Sequence, residues 1–211
     1  MRIIIFGPQG AGKGTQAGKL VEETGAAHIA TGDLVREEIK KGSELGEKIQ
    51  EYNDKGELVP DEIIIEMTKP HLDKHDGWIL DGFPRNQAQA KALDEALEEI
   101  DEKVDRVIAL EASDEDLVKR LSGRRQSEAT GNTYHIEHDP PPEDSDEDPG
   151  PFVQRDDDTE DAIRKRLETY HEETEPLKDY YEEQGLLVTV DASKGIDEVT
   201  KEVKKAVGED K

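Results

Sequence analysis

The stretch Gly7-Pro8-Gln9-Gly10-Ala11-Gly12-Lys13-Gly14-Thr15 decides the fold of this 211-residue chain. It directly follows an apolar run, Arg2–Phe6, and directly precedes a stretch of helical period. Glycines let the backbone turn its N–H groups inward around a phosphate, and the N-terminus of the following helix adds positive potential. A lysine at the end of such a loop reaches the outer phosphates of a bound ligand. The stretch therefore predicts a phosphate-binding loop between a strand and a helix.

Further apolar runs rich in branched side chains predict the rest of a sheet. The strand candidates are Arg2–Phe6, 78–80, 104–110 and 186–190, with Ala27–Ala30 as a weaker fifth. Stretches of helical period separate them, which is typical of α/β folds with a parallel sheet. Near the C-terminus, apolar residues at i, i+3, i+7 and i+11 predict one face of a closing helix: Ile196, Val199, Val203 and Val207. An apolar stripe predicts another helix from about Thr159, kinked at Pro176: Ile163, Leu167, Tyr170, Leu177 and Tyr181.

Composition excludes several classes of function. Acidic residues number 53 against 28 basic ones, so the formal net charge is −25. Such a surface repels polyanions, so we expect neither nucleic acid nor an anionic membrane as a partner. The absence of cysteine from the sequence excludes disulfides, thiolate zinc sites and thiol nucleophiles. With no apolar run near 18 residues and an N-terminal run too short for a signal peptide, we expect a cytoplasmic protein.

Residues 139–161 depart from the α/β pattern. They hold eleven acidic residues, one basic residue (Arg155) and five of the ten prolines. This composition is typical of a disordered acidic linker, and it predicts that the segment is no part of the central sheet. Arginines lie on both sides of it, at Arg120, Arg124 and Arg125 before and at Arg166 after. Composition alone leaves a disordered linker and an ordered insertion both open.

The loop GPQGAGKGT resembles that of adenylate kinases and related nucleoside monophosphate kinases. Gly14 stands where many phosphate loops carry Ser or Thr, and Thr15 follows. We therefore expect nucleotide oxygens and water to hold most of the Mg²⁺, with Thr15 free to bind a phosphate. Further motifs support the resemblance in the family's order: TGDLVR at 31–36, LDGFPR at 80–85, KRLSGRR at 119–125, RDDD at 155–158 and VDASKG at 190–195.

The resemblance implies the following site. Positive charge at the transferred phosphoryl group would come from Lys13, Arg85, Arg124, Arg155 and Arg166. ATP would contact Gly10, Ala11, Gly12, Lys13, Gly14, Thr15, Arg120, Arg124, Thr133, Tyr134 and Lys194. AMP would contact Thr31, Arg36, Glu57, Leu58, Val59, Gly82, Phe83, Pro84, Arg85, Gln89, Arg155 and Arg166. Asp81 and Asp33 would organise water on Mg²⁺. Taken without the resemblance, Arg36 could simply pair with Glu37 or Glu38.

The resemblance also predicts how the chain is divided. A core nucleotide-kinase domain would comprise residues 1–30, 61–122 and 163–211. Residues 31–60 would form a helical AMP-binding insertion, and residues 123–162 a mobile acidic lid. The expected fold is an α/β phosphate-loop kinase with a five-stranded parallel sheet. Asp157 and Asp158 would orient lid arginines. We expect no zinc in the lid, because His135 and His138 lack partners at metal-ligand spacing.

The implied activity is reversible phosphoryl transfer, ATP + AMP to 2 ADP, by a monomer. Alternatives within enzymes are a UMP or CMP kinase and a kinase that uses GTP as donor; Thr31 and Gln89 favour AMP. A nucleotide-binding module without turnover is the alternative outside enzymes. The many motif arginines argue against it, because binding alone would not require so many around the transferred group.

The excess of negative charge predicts a dependence on salt, since 38% of all residues are charged. Screening shortens the range of charge repulsion from about 10 Å at 0.1 M salt to about 3 Å at 1 M. If the chain is adapted to high salt, its midpoint of thermal unfolding should rise between dilute buffer and molar KCl at fixed pH. Equal stability in the two solutions would instead indicate ordinary acidic solubility.

Overall fold

The predicted apolar runs pair into one parallel sheet in the computed structural model, which describes residues 1–55, 59–72, 74–143 and 145–208 but not the side chain of Asn53. Its strands are β1 (Arg2–Phe6), β2 (Ala27–Ala30), β3 (Trp78–Asp81), β4 (Arg106–Glu111) and a C-terminal strand, Leu187–Asp191. The order across the sheet is β2, β3, β1, β4 and the C-terminal strand, and all four pairings are parallel. The five-stranded parallel sheet predicted from the sequence is confirmed.

Helices cover both faces of this sheet. They are α1 (Lys13–Thr24), α2 (Thr31–Lys40), α3 (Glu44–Lys55), α4 (Asp61–Leu72), α5 (Gln87–Glu98), α6 (Asp114–Ser122), α7 (Glu160–Thr169), α8 (Leu177–Glu183) and α9 (Ile196–Val207). Side chains alternate along β1, so that Ile4 and Phe6 enter one apolar core while Ile3 and Ile5 enter the other. A strand with both faces buried reads as a continuous apolar run, as β1 does.

Local signals mark where several helices begin and end. Asn86, Ser113 and Thr159 each accept a hydrogen bond from a backbone N–H in the first turn of α5, α6 and α7, respectively. Gly25 and Gly208 end α1 and α9 with φ of 68° and 83°, a left-handed conformation that favours glycine. The ends of these helices are therefore set by residues close in sequence.

A second, antiparallel sheet lies between α6 and α7, and we call it the small sheet. Its strands are β5 (Arg124–Ser127), β6 (Thr133–His135) and β7 (Phe152–Val153), with β5 in the centre. With these strands named, the C-terminal strand of the large sheet is β8. The described residues of the acidic segment 139–161 take no part in the large sheet, as predicted, but the segment contributes β7 to the small one.

The small sheet is held together by one buried carboxylate. Asp148 accepts hydrogen bonds from Thr130 Oγ1 at 2.8 Å, Asn132 Nδ2 at 3.1 Å and the Tyr134 hydroxyl at 2.7 Å, and also from Ser127. Burial alone would raise the pKa of Asp148. The hydrogen bonds outweigh that effect and hold its pKa well below the usual range. The ionised carboxylate of Asp148 thus stabilises the small sheet, which has few apolar side chains to bury.

Three details differ from the sequence predictions. β4 begins at Arg106 rather than 104, although Val104 is buried just before it. Ile196 is 51% exposed because it occupies the first turn of α9, whereas Val199 and Val203 are buried as predicted. The predicted kink near Pro176 is a full interruption between α7 and α8 that contains a π-helical turn, Tyr170–Thr174. The apolar stripe across this interruption is nevertheless buried.

We predict that Asp148→Asn lowers the thermal stability of the protein at pH 7. The folded pKa of Asp148 is depressed, so its stabilising effect is complete above the ordinary aspartate pKa of about 3.9 and is lost as the pH falls below that value. Thermal unfolding of both proteins between pH 3 and pH 7 should therefore show a difference that shrinks toward low pH. Equal unfolding midpoints at pH 7 would contradict the role assigned to the carboxylate.

Candidate functional site

The glycine loop leaves β1 at the carboxyl edge of the large sheet. Gly7, Gly10 and Gly12 all have positive φ, at 150°, 84° and 89°. At Gly7 a Cβ would lie 2.5 Å from the backbone oxygen of Leu110 in β4, which no real side chain tolerates. Only glycine therefore lets the loop leave the sheet beside β4 and begin α1 at Lys13.

Lys13 lies within this loop. Its Nζ donates to the backbone oxygens of Gly7 at 2.8 Å and Pro8 at 2.9 Å. Burial lowers the pKa of Lys13 to about 8, against the opposing effect of Asp81. This pKa value already includes the smaller lowering by the charges of Arg85, Arg124 and Arg166. A lysine in such surroundings gains from any anion that enters the loop.

A cleft of about 1,820 Å³ runs from the loop to the small sheet and to α2. It collects five arginines that the sequence predicted for the site: Arg36, Arg85, Arg124, Arg155 and Arg166. Two buried polar atoms of cleft residues, Gln9 Oε1 and Arg166 Nε, have no hydrogen-bond partner within the described part of the chain. Unpaired buried polar atoms are costly, so the cleft is suited to a polar, anionic ligand.

Two aspartates hold the arginines at the junction of the small sheet and α7. Asp158, 1% exposed, receives a bidentate pair from Arg124, with Nε–Oδ2 at 2.8 Å and Nη2–Oδ1 at 2.5 Å. Arg166 contacts the same carboxylate at 3.3 Å and also pairs with Asp157. For Arg124, the contact with Asp158 agrees with the expectation that the two aspartates orient lid arginines, whereas Arg166 lies on α7, outside the predicted lid.

Arg85 is held by neutral groups at the end of β3. Its Nε donates to the backbone oxygen of Gly82 at 2.8 Å, and its backbone N–H donates to Gln89 Oε1 at 2.7 Å. Burial, with a further effect from Arg166 and Arg36, lowers the pKa of Arg85. The guanidinium is thus fixed in the cleft without direct neutralisation. Phe83 and Pro84, the turn before it, are buried.

A polar network surrounds Gln89, which the sequence assigned to base recognition. Its Nε2 donates to Asp61 Oδ1 at 2.7 Å, and Asn86 Nδ2 donates to the same oxygen at 3.0 Å. Thr31, also assigned to the nucleotide, donates to the backbone oxygen of Asp81 at 3.2 Å. Gln89 and Thr31 both line the cleft. Sequence reasoning assigned no role of its own to Asp61, which ends the stretch 56–61, or to Asn86, which follows LDGFPR, because their contacts with Gln89 depend on the fold.

On α2, Arg36 pairs with Asp33, not with Glu37 or Glu38. One turn of helix separates the two residues, so the pair is local, and Arg36 remains 42% exposed toward the cleft. Val59 lines the same cleft. Glu57 and Leu58 lie outside the described residues.

Asp81 is the residue best placed to organise a cation. It ends β3, its side chain is 13% exposed, and a Cβ on Gly14 would lie 3.6 Å from its Oδ2. Carboxylate oxygen beside a phosphate loop is the ligand type that Mg²⁺ prefers. In the described chain, no group of three or more His, Cys, Asp or Glu side chains could hold a metal by itself.

A second hollow, of about 450 Å³, opens between the small sheet and the loop after β8. It is lined by Asp116, Lys119, Arg120, Gly123, His135, Ile136, Glu137, His138 and Ser193. The rings of His135 and His138 stack with centroids 4.5 Å apart. Arg120 is fixed by a 2.7 Å bond to the backbone oxygen of Ala192. The histidines were considered only as metal ligands in the sequence, so their place in this hollow was missed.

Three residues predicted for the donor lie elsewhere. Tyr134 donates its hydroxyl to Asp148 and packs edge-on against Phe152, with centroids 5.2 Å apart. Thr133 is exposed, and Lys194 pairs with Glu202 at 2.5 Å. None of these three lines either hollow. Their contact with a nucleotide stays a prediction.

Comparisons with known proteins agree with this geometry. A family model described as adenylate kinase matches residues 5–186. A protein of Caldicellulosiruptor bescii is 49% identical over 213 positions, which cover 99% of each chain. Proteins of Archaeoglobus fulgidus and Salinibacter ruber are each 49% identical, over 96% and 98% of each chain. All three carry the name adenylate kinase. Within the described residues, every helix is too short or too polar to cross a membrane.

The lowered pKa of Lys13 predicts that ATP binding takes up protons. In the protein without ATP, about half of the Lys13 side chains are unprotonated at pH 8, because the pKa is about 8. The negative charge of bound phosphate would raise the pKa of Lys13 again, so that ATP binding takes up a proton. Titration calorimetry at pH 8 in buffers of different ionisation enthalpy should show net proton uptake, and the ATP affinity should fall as pH rises above about 8. Lys13→Arg, which stays charged, is the control and should lose this uptake. Identical uptake in both proteins would contradict the prediction.

Proposed function

The chain belongs to the adenylate kinase family, and from this premise we infer that its cleft carries reversible phosphoryl transfer, ATP + AMP to 2 ADP. The observation that carries the inference is that five arginines line one cleft beside the phosphate loop, and that three of them, Arg85, Arg124 and Arg166, are close enough to Lys13 for their charges to lower its pKa. The phosphoryl group that moves between the two nucleotides carries negative charge on three oxygens. Several positive side chains are needed to offset that charge during transfer. The enzyme is thus an ATP:AMP phosphotransferase.

We propose that the donor lies along the loop and the second hollow. The loop N–H groups and Lys13 would hold its phosphates, as their geometry at the N-terminus of α1 supports. The second hollow, with Arg120 and the histidine pair, would take the base. Tyr134 packs in the small sheet and lines neither hollow, so its contact with the donor base stays a prediction.

We propose that the acceptor lies under α2 and α3. Arg36 and Arg85 would bind its phosphate, and Gln89 would read its base through the amide hydrogen that Asp61 leaves free. Arg155 and Arg166 would span both nucleotides. The proposed divisions remain a helical insertion over residues 31–60 and a lid over 123–162, with the core elsewhere.

The reaction needs no general base, because the attacking group is an ionised phosphate. Lys13, Arg85 and Arg124 would align the phosphates and offset the charge that develops on the transferred group. The small sheet would close over the site and exclude water, which would otherwise hydrolyse ATP. When Mg²⁺ is bound, near Asp81 and with Asp33 through water, it supplies further charge neutralisation. We also propose that the protein acts as a monomer in the cytoplasm.

The alternative activities differ in their substrates. A UMP or CMP kinase, or a kinase that uses GTP, would have the same loop but a different leading pair. A binding module without turnover would bind ATP and form no ADP. The family match and the consistently named relatives favour the adenine pair.

The direct test is a panel of AMP, GMP, CMP and UMP, each with ATP or GTP, in dilute buffer and in molar KCl. ATP with AMP should give the highest kcat/KM. A different leading pair would overturn the substrate assignment, and the absence of ADP formation from every pair would overturn the proposed enzyme.

We further predict that Arg85→Ala or Arg124→Ala lowers kcat by about 10³ to 10⁵, the usual effect of losing an arginine that stabilises a phosphoryl-transfer transition state. Arg164→Ala is a matched control: Arg164 lies on α7 with Arg166, but it is 61% exposed and pairs with Glu160. It should keep near wild-type turnover. Circular dichroism would verify folding, and near wild-type turnover in both Arg85→Ala and Arg124→Ala would contradict their roles.

A further inference from the structure

We propose that Gln126 is a positioning residue that fixes Arg155 in the cleft while leaving its charge free for the transferred phosphoryl group. The proposal rests on the proposed function, in which Arg155 spans the two nucleotides. Gln126 has no place in the motifs that carry the family resemblance, and its role follows from its contacts.

The contact between the two side chains is direct. Arg155 Nε donates to Gln126 Oε1 at 2.8 Å. Gln126 lies in the central strand β5, opposite Thr133 of β6 and Val153 of β7, so its backbone is held from both sides. Arg155 follows β7 by two residues. The bond therefore connects Arg155, which lies beyond the end of the edge strand β7, to Gln126 in the central strand β5, which is paired on both sides.

The amide of Gln126 is itself held in one orientation. Its Nε2 donates to the backbone oxygen of Gly131 at 3.0 Å. A carbonyl oxygen can only accept, so the NH₂ group must face Gly131 and the amide oxygen must face Arg155. Within the described chain, the two terminal nitrogens of Arg155 make no hydrogen bond, and Arg155 lines the cleft. They are free to bind phosphate oxygens.

The arginines in this cleft are of two kinds, which differ in the charge of the oxygen that accepts their hydrogen bonds. Arg124 and Arg166 are held by the carboxylates of Asp157 and Asp158. Arg155, like Arg85, is held by a neutral oxygen. A carboxylate would fix the guanidinium equally well, but it would also offset part of its charge, as it does for Arg124 and Arg166.

The surroundings of Arg155 agree with an uncancelled charge. Burial and the neighbouring charges of Arg124 and Arg36 lower its pKa to about 10, more than Asp157 and Asp158 restore. The positive charge of Arg155 is therefore less favourable in the free protein than it would be in water, and it becomes more favourable when phosphate arrives. Such an interaction is stronger with the charged ligand than without it, which is the condition for assisting the reaction.

This division of roles predicts different effects on stability and activity. Gln126→Glu loses the bond from Nε2 to the backbone oxygen of Gly131, but it keeps an acceptor for Arg155 and adds a favourable ion pair, so the unfolding midpoint should change little. Because the new charge competes with phosphate for Arg155, kcat should fall by about 10- to 100-fold. Gln126→Leu removes the acceptor, and kcat should fall by a similar factor because Arg155 is no longer aligned. The KM for AMP and for ATP should change less than kcat in Gln126→Leu.

The experiment compares kcat, KM and thermal unfolding for the wild type, Gln126→Glu, Gln126→Leu, Arg155→Ala and the double variant Gln126→Leu/Arg155→Ala. Gln184→Glu is the matched control, since it makes the same chemical change at an exposed position outside the cleft. It should keep wild-type kcat. If Gln126 acts through Arg155, Gln126→Leu should lower kcat less than twofold in the Arg155→Ala background.

The outcomes separate this proposal from the proposed function. A wild type that does not convert ATP and AMP overturns the function and the proposal together. If the wild type is active and Arg155→Ala is impaired, but both Gln126 variants stay within twofold of wild-type kcat, only the role of Gln126 is overturned. Near wild-type kcat in Arg155→Ala also overturns it. Should one Gln126 variant fail to fold, the other still decides the question.

Discussion

The bond between Asp158 and two arginines is the contact on which the cleft depends. Arg124 comes from the small sheet and Arg166 from α7, and both reach one carboxylate that is fully buried. Arginines gathered in a cleft of low polarity repel each other, and a buried carboxylate without cations would be equally unfavourable. Each charge therefore requires the other. The pairing connects the small sheet to the core through the residues that face the ligands.

The large sheet explains why the remaining groups meet at the same place. β1 lies between β3 and β4, so the loop after β1 and Asp81 at the end of β3 emerge side by side. Ligands of open parallel sheets bind at the carboxyl edge, where the chain turns toward opposite sides. Strand order thus brings Lys13 and Arg85 close enough for the charge of Arg85 to lower the pKa of Lys13. The excess acidity lies on the outside of this arrangement, in exposed positions such as Glu115 and Asp197.

Much of this could be predicted from the sequence, because the signals are local. The phosphate loop, the strands and the positions of Arg85 and Asp81 each follow from a few consecutive residues. The missing parts depend on contacts between distant positions: Arg124 meets Asp158 34 residues later, and Tyr134 meets Asp148 14 residues later. An acidic, proline-rich segment predicts disorder by composition, yet one of its carboxylates anchors a sheet. Likewise nothing near His135 in the sequence indicates that it lines a hollow.

The carboxylate of Asp148 also bears on how this protein can change during evolution. The side chains that donate to its carboxylate all lie between Ser127 and Tyr134. Asp148 itself lies 14 residues after Tyr134 and joins this segment from the far end of the intervening chain. His135 and Asp139 close a short turn by mutual backbone bonds, and the described residues from 140 to 147 belong to no strand. The described residues of that interval make none of the bonds to the Asp148 carboxylate, although Ser145 Oγ accepts from the backbone N–H of Asp148 at 3.2 Å. We therefore expect changes of length and charge in this segment to disturb the small sheet less than a change of Asp148 itself.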